Sequence, residues 1–194
     1  VEDRVALRRS LGLAPEARVL GIIGRLVREK GYFELFRAAA ELARRFDDFR
    51  LVVIGDALAS DHDDSTRELH ALVDQLGVRP RIVFTGQRAD IPELLHTLDV
   101  FTLPSYREGM PRSVIEAMAM GRPLVSTTVG CEGFPFRTGV YLLIADAPRD
   151  FADAVVKLLR DPALGSRLGA SGRAEVEARY DWKAIIPLFD GVYS

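Results

Sequence analysis

Val100-Phe101-Thr102-Leu103-Pro104-Ser105-Tyr106-Arg107-Glu108-Gly109-Met110-Pro111-Arg112-Ser113-Val114-Ile115-Glu116-Ala117-Met118-Ala119-Met120-Gly121-Arg122-Pro123-Leu124-Val125-Ser126 reads as strand, loop, helix, strand. The apolar runs at 100–104 and 123–126 are short and continuous, as in strands buried on both faces. Pro111 stands where a helix begins, because it lacks the N–H that a first turn cannot use. Ala117, Met118 and Ala119 favour helix, and Gly121 is the expected stop. Glu108 and Glu116 stand on either side of the loop-to-helix boundary. Between them lie the positive end of a helix dipole and free backbone N–H groups. Such a place suits an anion that carries hydroxyls.

The same alternation runs outward in both directions. Arg18–Gly24, Arg50–Gly55 and Arg81–Gly86 read as three earlier strands, and Leu124–Thr127 and Val140–Ile144 as a fifth and a sixth. Residues 1–17 are charged and helical in flavour, ending in a turn at Leu13-Ala14-Pro15-Glu16. Tyr32, Leu35, Phe36, Ala39, Leu42, Ala43 and Phe46 recur at helical spacing. Ser65 with Glu68 forms a capping box for a helix lined by Leu69, Leu72, Val73 and Leu76 and stopped by Gly77. Asp90 and Glu93 are expected to cap a short helix through Leu98. Phe151, Val155, Leu158 and Leu159 line a further helix, Asp161-Pro162 opens another to about Arg179, and the tail from Asp181 to Tyr193 reads as helical with a kink at Pro187.

Composition bounds the possibilities. A chain of 194 residues, 48% hydrophobic and 28% charged, buries one sizeable core and reads as one α/β domain, with a core at about 15–180 and a C-terminal helix at 181–194. The net charge of −2, with both signs interspersed, gives no nucleic-acid or anionic-membrane surface. Cys131 is the single cysteine, which excludes an internal disulfide and favours a reducing, cytoplasmic compartment. No apolar run reaches the ~20 residues that a bilayer span requires. The charged start at Val1 reads as the cut edge of something longer.

Strands alternating with helices predict a parallel sheet covered on both faces, a doubly wound Rossmann-like sheet of six strands. In the order 3-2-1-4-5-6, strands one and four are neighbours, and the loops leaving them face each other at the topological switch point where ligands bind. One of these loops carries Arg25 and Lys30; the other carries Glu108 and the helix N-terminus. Two cations and a helix N-terminus suit a diphosphate, and a carboxylate can accept from vicinal hydroxyls. The pattern fits a nucleotide sugar or an ordinary nucleotide.

The residues also carry a resemblance. Gly24-Arg25-Leu26-x3-Lys30-Gly31, followed by Pro104-Ser105-x2-Glu108-Gly109-x-Pro111-x4-Glu116-Ala117-Met118-Ala119-x-Gly121-x-Pro123-Leu124-Val125, resembles glycosyltransferase family 4. The likeness is to the C-terminal, donor-binding half of that family's two-domain GT-B fold and covers about residues 15–180. Gly130-x-Glu132-Gly133, Asp161-Pro162-Ala163 and Tyr180-x-Trp182 look like bacterial members that build polysaccharides or lipid-linked glycans.

The resemblance implies that Arg25 and Lys30 hold the donor diphosphate and stabilise the leaving group, and that Glu108 accepts from hydroxyls of the transferred sugar. Arg25, Lys30 and Glu108 are then the catalytic set. Backbone N–H groups of Gly109, Met110 and Arg112 would contact sugar or phosphate, Glu116 the ribose hydroxyls, and the Gly86-Gln87-Arg88 loop would border the base. Gly24 and Gly109 would permit close ligand approach, whereas Gly31 and Gly121 read as turn and cap glycines. The family implies a retaining transfer without a metal, a nucleotide-sugar donor (UDP-sugar first), and no dedicated protein base. It also implies a glycan or lipid-linked acceptor on an N-terminal domain absent from this chain, through which any peripheral contact with the inner membrane face would run. This chain alone is then expected to be inactive.

Two alternatives remain on sequence grounds. A dinucleotide-dependent oxidoreductase fits poorly, since Gly21-x2-Gly24 is not a G-x-G-x-x-G turn, although Asp56 follows strand two where a ribose ligand would stand. A non-catalytic nucleotide-binding module differs only in lacking a partner domain that completes a cleft. Asp61-His62-Asp63 mimics a metal-binding Asp-x-Asp but reads as a solvated loop. His62, His70 and His96 have no metal-ligand spacing, His70 falling on a polar helix face. Met110, Met118 and Met120 read as packing residues. Cys131 stands where many family members carry a second glycine after strand five.

Overall fold

The computed structural model describes residues 3–57 and 65–186. Six strands form one sheet: β1 (Arg18–Ile23), β2 (Phe49–Ile54), β3 (Ile82–Phe84), β4 (Val100–Leu103), β5 (Leu124–Ser126) and β6 (Leu143–Ile144). All neighbours are parallel, in the order β3-β2-β1-β4-β5-β6. The expected switch point is present: β1 pairs with β4 on one side (Leu20 beside Val100) and with β2 on the other.

Seven α-helices of the described residues cover this sheet: α1 (Arg4–Ser10), α2 (Tyr32–Arg45), α3 (Ser65–Gln75), α4 (Ile91–Thr97), α5 (Arg112–Ala119), α6 (Pro148–Arg160) and α7 (Pro162–Arg179). Because strand side chains alternate faces, two cores result. Leu20, Ile22, Leu51 and Val53 pack with Leu35 and Phe36 of α2, Leu69 of α3 and Val155 of α6. Val19, Val52, Phe101, Leu103 and Leu124 pack with Leu95 of α4, Val114 and Met118 of α5 and Val176 of α7. Strands buried on both sides explain the unbroken apolar runs.

The ends of α5 fix the site's frame. Pro111 is the N-cap residue (φ −70, ψ 113), one position earlier than a first helical residue. At the other end Gly121 takes φ +64. Its N–H donates to the Met118 carbonyl (2.8 Å) and that of Arg122 to Ala117 (2.9 Å), a Schellman closure.

Some boundaries differ from the sequence reading. The sixth strand is only Leu143–Ile144, because the N–H groups of Val140 and Tyr141 both donate to the Arg137 carbonyl in a turn around Gly139. The third strand starts after a 3-10 turn at Arg79–Arg81. Asp90 occupies the N-cap of α4 but makes no side-chain cap, since its carboxylate is taken by Arg88. His70 is half-buried rather than on a polar face. Its ring lies 4.7 Å from that of Phe84 between centroids, and its Nδ1 meets Arg79. In the tail, residues 182–186 are helical, with Trp182 and Ile186 exposed. Pro187 and Asp61-His62-Asp63 lie outside the described residues.

Candidate functional site

The loops after β1 and β4 meet directly. Gly31 closes the β1–α2 loop with φ +72, and a Cβ there would stand 2.0 Å from the Pro104 carbonyl oxygen, so only glycine permits this approach. The N–H of Tyr106 donates to the carbonyl of Glu29 (2.8 Å), and the Arg107 guanidinium pairs with the Glu29 carboxylate (3.0 Å). The seam between the loops is therefore closed by main chain and by one ion pair.

Over this seam Lys30 Nζ donates to Glu108 Oε1 at 2.6 Å. The Glu108 side chain is 7% exposed and that of Lys30 21%, so the pair is largely withdrawn from water. Buried Leu26 and Val27 anchor the loop that carries Arg25, which stands exposed at its crest. The carbonyl of Gly24 accepts from the hydroxyl of Tyr32 (2.8 Å). Burial pushes the Tyr32 phenol well above its ordinary range, so it stays protonated and donates.

On the facing loop, the N–H groups of Gly109, Met110 and Arg112 donate no hydrogen bond among the described residues, which leaves the start of α5 open to an acceptor. Met110 is exposed, and a Cβ built on Gly109 meets nothing. Glu116 follows in the second turn of α5, half-buried. Its pKa is raised by burial, opposed by the positive charge of Arg112.

Of the residues singled out in the sequence, Lys30, Glu108, Gly109, Met110 and Arg112 thus gather on the two loops at the β1/β4 junction, with Gly24 and Arg25 beside them and Glu116 behind on α5. Arg88 lies on the β3–α4 loop, where its Nε reaches Asp90 at 2.7 Å, and the pair is exposed. That loop joins the rim through Gly86, whose carbonyl accepts from the N–H of Gly55 (2.9 Å). The close backbone approaches fall at Gly31 and at Gly55, whose added Cβ would sit 2.2 Å from the Gly24 carbonyl oxygen; one on Gly24 itself makes only ordinary contacts.

Two supporting residues escaped the sequence reading. Thr127 Oγ1 donates to the Ser105 carbonyl (2.6 Å) and accepts from the Gly130 N–H (2.9 Å), tying the β4 and β5 loops together. Tyr32 was legible only as part of an apolar helix face. A polar atom hidden in an apolar pattern gives no period of its own. Cys131 fits the turn that a second glycine would make, since no non-glycine residue described has positive φ. Gly130 is the demanding position, where a Cβ would lie 2.4 Å from Ser126 Oγ. Burial, then the Asp146 charge, raises the Cys131 thiol.

The opposite edge of the sheet also carries a cleft, of about 490 Å³, lined by Arg4, Arg8, Arg18, Asp48, Asp99 and Arg122 among others. No group of three or more His, Cys, Asp or Glu that could hold a metal exists among the described residues. No helix among them is long and apolar enough to cross a membrane.

The family model for glycosyl transferases group 1 matches residues 17–161. The chain belongs to that family. A D-inositol 3-phosphate glycosyltransferase of Stackebrandtia nassauensis is 34% identical over 98% of this chain and 44% of its own length. Among solved structures, Anabaena Alr3699/HepE in complex with UDP superposes with a TM-score of 0.90 at 27% identity, over 98% of this chain and 52% of that one. The C-terminal domain of LpcC, a glycosyl transferase group 1 protein of Francisella tularensis, matches at TM-score 0.83 and 27% identity, over 94% of this chain and 95% of that one. This chain therefore has the fold of one half of a GT-B glycosyltransferase, and it spans about half the length of the full-length relatives it matches.

Proposed function

We propose that this glycosyl transferase group 1 chain is the nucleotide-sugar-binding half of a retaining family 4 hexosyltransferase, with a UDP-sugar as donor. The observation that carries the reading is the junction of Lys30, Glu108 and the open N–H groups of α5 at the switch point, 2.6 Å between the first two. The complexes of Alr3699/HepE with UDP and with UDP-glucose, at 27% identity, support the choice of base. In this reading residues 1–194 form one donor domain, and the acceptor sits on a second domain of the whole protein, which works in the cytoplasm or at the inner membrane face.

Each role follows from its chemistry. Arg25 and Lys30 are the cations that hold the diphosphate and offset the charge that gathers on it as the sugar leaves. N–H groups of Gly109, Met110 and Arg112 add a field of the same sign at the start of α5. Glu108 accepts from the sugar hydroxyls and Glu116, as the carboxylate, from those of the ribose, while Gly24 and Arg88 border the nucleotide. No metal is needed, and no side chain acts as general base: the departing phosphate assists the acceptor hydroxyl. The acceptor is a glycan or a lipid-linked sugar. A second reading, a small phosphorylated polyol, is favoured by the relative named for D-inositol 3-phosphate.

Calorimetric titration with UDP and UDP-glucose tests the site. Glu116→Ala should weaken UDP binding roughly ten- to a hundredfold, the loss of a charge-assisted pair of hydrogen bonds. Equal binding by the two proteins would remove Glu116 from the site. The isolated chain should transfer no sugar, and measurable transfer would overturn the two-domain arrangement.

A further inference from the structure

The Lys30–Glu108 pair carries a consequence for ligand choice, and the inference rests on the donor-site reading above. Lys30 is the only side chain hydrogen-bonded or ion-paired to Glu108 among the described residues, and the Glu108 side chain is 7% exposed. A ligand that draws the ammonium onto its phosphates therefore strips a withdrawn carboxylate of its counter-ion. A bare nucleoside diphosphate offers nothing in exchange. Its terminal phosphate is also anionic, so it and the Glu108 carboxylate would then compete for Lys30. A nucleotide sugar brings hydroxyl donors to the same place and carries one negative charge fewer. Leaving a buried charge unpaired costs far more than exchanging one partner for another.

We infer that the Lys30–Glu108 ion pair makes this site prefer a sugar-bearing nucleoside diphosphate over the bare one. Glu108 is thus a specificity-determining residue as well as a sugar ligand. In the empty site it holds Lys30; with the donor bound, Lys30 moves to phosphate and Glu108 to hydroxyls. Once the sugar has gone, Glu108 competes for Lys30 and loosens the remaining nucleoside diphosphate. The pair acts as an exchange of partners, not as a static bridge.

Two ligands and two variants test this by calorimetry. The wild-type chain should bind UDP-glucose more tightly than UDP. Glu108→Gln keeps the shape and removes the charge, so it should tighten UDP and weaken UDP-glucose. The preference should then shrink by roughly tenfold, which corresponds to about 1.4 kcal/mol. Glu108→Asp keeps the charge and should retain the order of preference. If Glu108→Gln leaves UDP affinity unchanged or weakens both ligands in parallel, the counter-ion role is overturned while the donor site stands. If the wild-type chain binds neither ligand, the donor-site reading falls, and the inference with it.

Discussion

The two edges of this sheet use the same chemistry to different ends. At the back edge, beneath the strand N-termini, Arg8 spends its guanidinium on protein. Nε reaches the Thr97 carbonyl (2.9 Å), Nη1 those of Pro15 (2.5 Å) and Ala17 (2.9 Å), and Nη2 that of Thr97 (2.8 Å) and the Asp99 carboxylate (2.9 Å). Asp99 in turn accepts from Arg4 (2.6 Å) and from the N–H of Val19 (2.8 Å). Burial depresses the Arg8 pKa, opposed by the Asp99 charge, yet every donor has an acceptor. At the front edge Lys30 meets one carboxylate, and the N–H groups at the start of α5 meet none. A saturated set of charges holds a fold together; an unsaturated one is available to a ligand. Cavity volume does not separate the two, since the back edge has a cleft of about 490 Å³. The count of unused donors does.

Arg8→Ala is expected to have the largest effect. It takes the guanidinium donor from the Pro15, Ala17 and Thr97 carbonyls and leaves Asp99 only Arg4 and the Val19 N–H, at a cost of about 3 kcal/mol in stability. Chemical denaturation should register this as a lower midpoint, while UDP affinity below the transition stays as in the wild type. A loss of UDP binding in well-folded Arg8→Ala protein would break the division between the edges.

Thr127→Val comes next, at about 1 kcal/mol. It removes the link between the Ser105 carbonyl and the Gly130 N–H, so both stability and the order of the front loops should suffer. Amide exchange at Gly130 should quicken. Unchanged exchange would mean that the β5 loop is held by something other than Thr127.

Glu116→Gln should give the smallest change, and in the opposite direction. Burial raises the folded-state pKa of Glu116 above its unfolded value, so the folded chain holds this proton more tightly. By linkage, stability rises as pH falls through that raised pKa, and at neutral pH the ionised group is a burden. Glutamine removes the burden, so the melting temperature at neutral pH should rise slightly while UDP binding falls. In the wild type, UDP affinity should fall as acid protonates Glu116, and this pH dependence should vanish in the variant. A lower melting temperature for Glu116→Gln would show that the carboxylate supports the fold, and the contrast between the edges would narrow.

How far the site could be read from the sequence depends on what kind of information each part carries. Helix faces are periodic and buried strands are unbroken apolar runs, so Leu35, Leu69 and Val155 announce their burial at spacings of three to four and Leu20 by the run around it. The capping signals of Gly77 and Gly121 are local too, and both take positive φ. Arg25, Lys30 and Glu108 were legible as a group because the doubly wound topology puts their loops at one switch point. Arg8, by contrast, sat in a charged segment with nothing to mark it, since its acceptors at Thr97 and Asp99 are remote in sequence. Asp90 misled for a related reason: its position is that of a cap, but a neighbouring arginine claims its carboxylate.

The sequence by itself determined the alternation of strands and helices, the buried faces, and which loops would carry charge and open N–H groups, because each of these is written in residues close to one another. Tertiary structure alone decided which charges are spent and which are not. Whether a cation ends with five hydrogen bonds to four acceptors, as Arg8 does, or beside a single carboxylate, as Lys30 does, depends on which remote carbonyls the folded sheet brings within 3 Å. Hydrogen bonds reach little further than that, so the identity of a partner many residues away is settled only when the chain has closed around it.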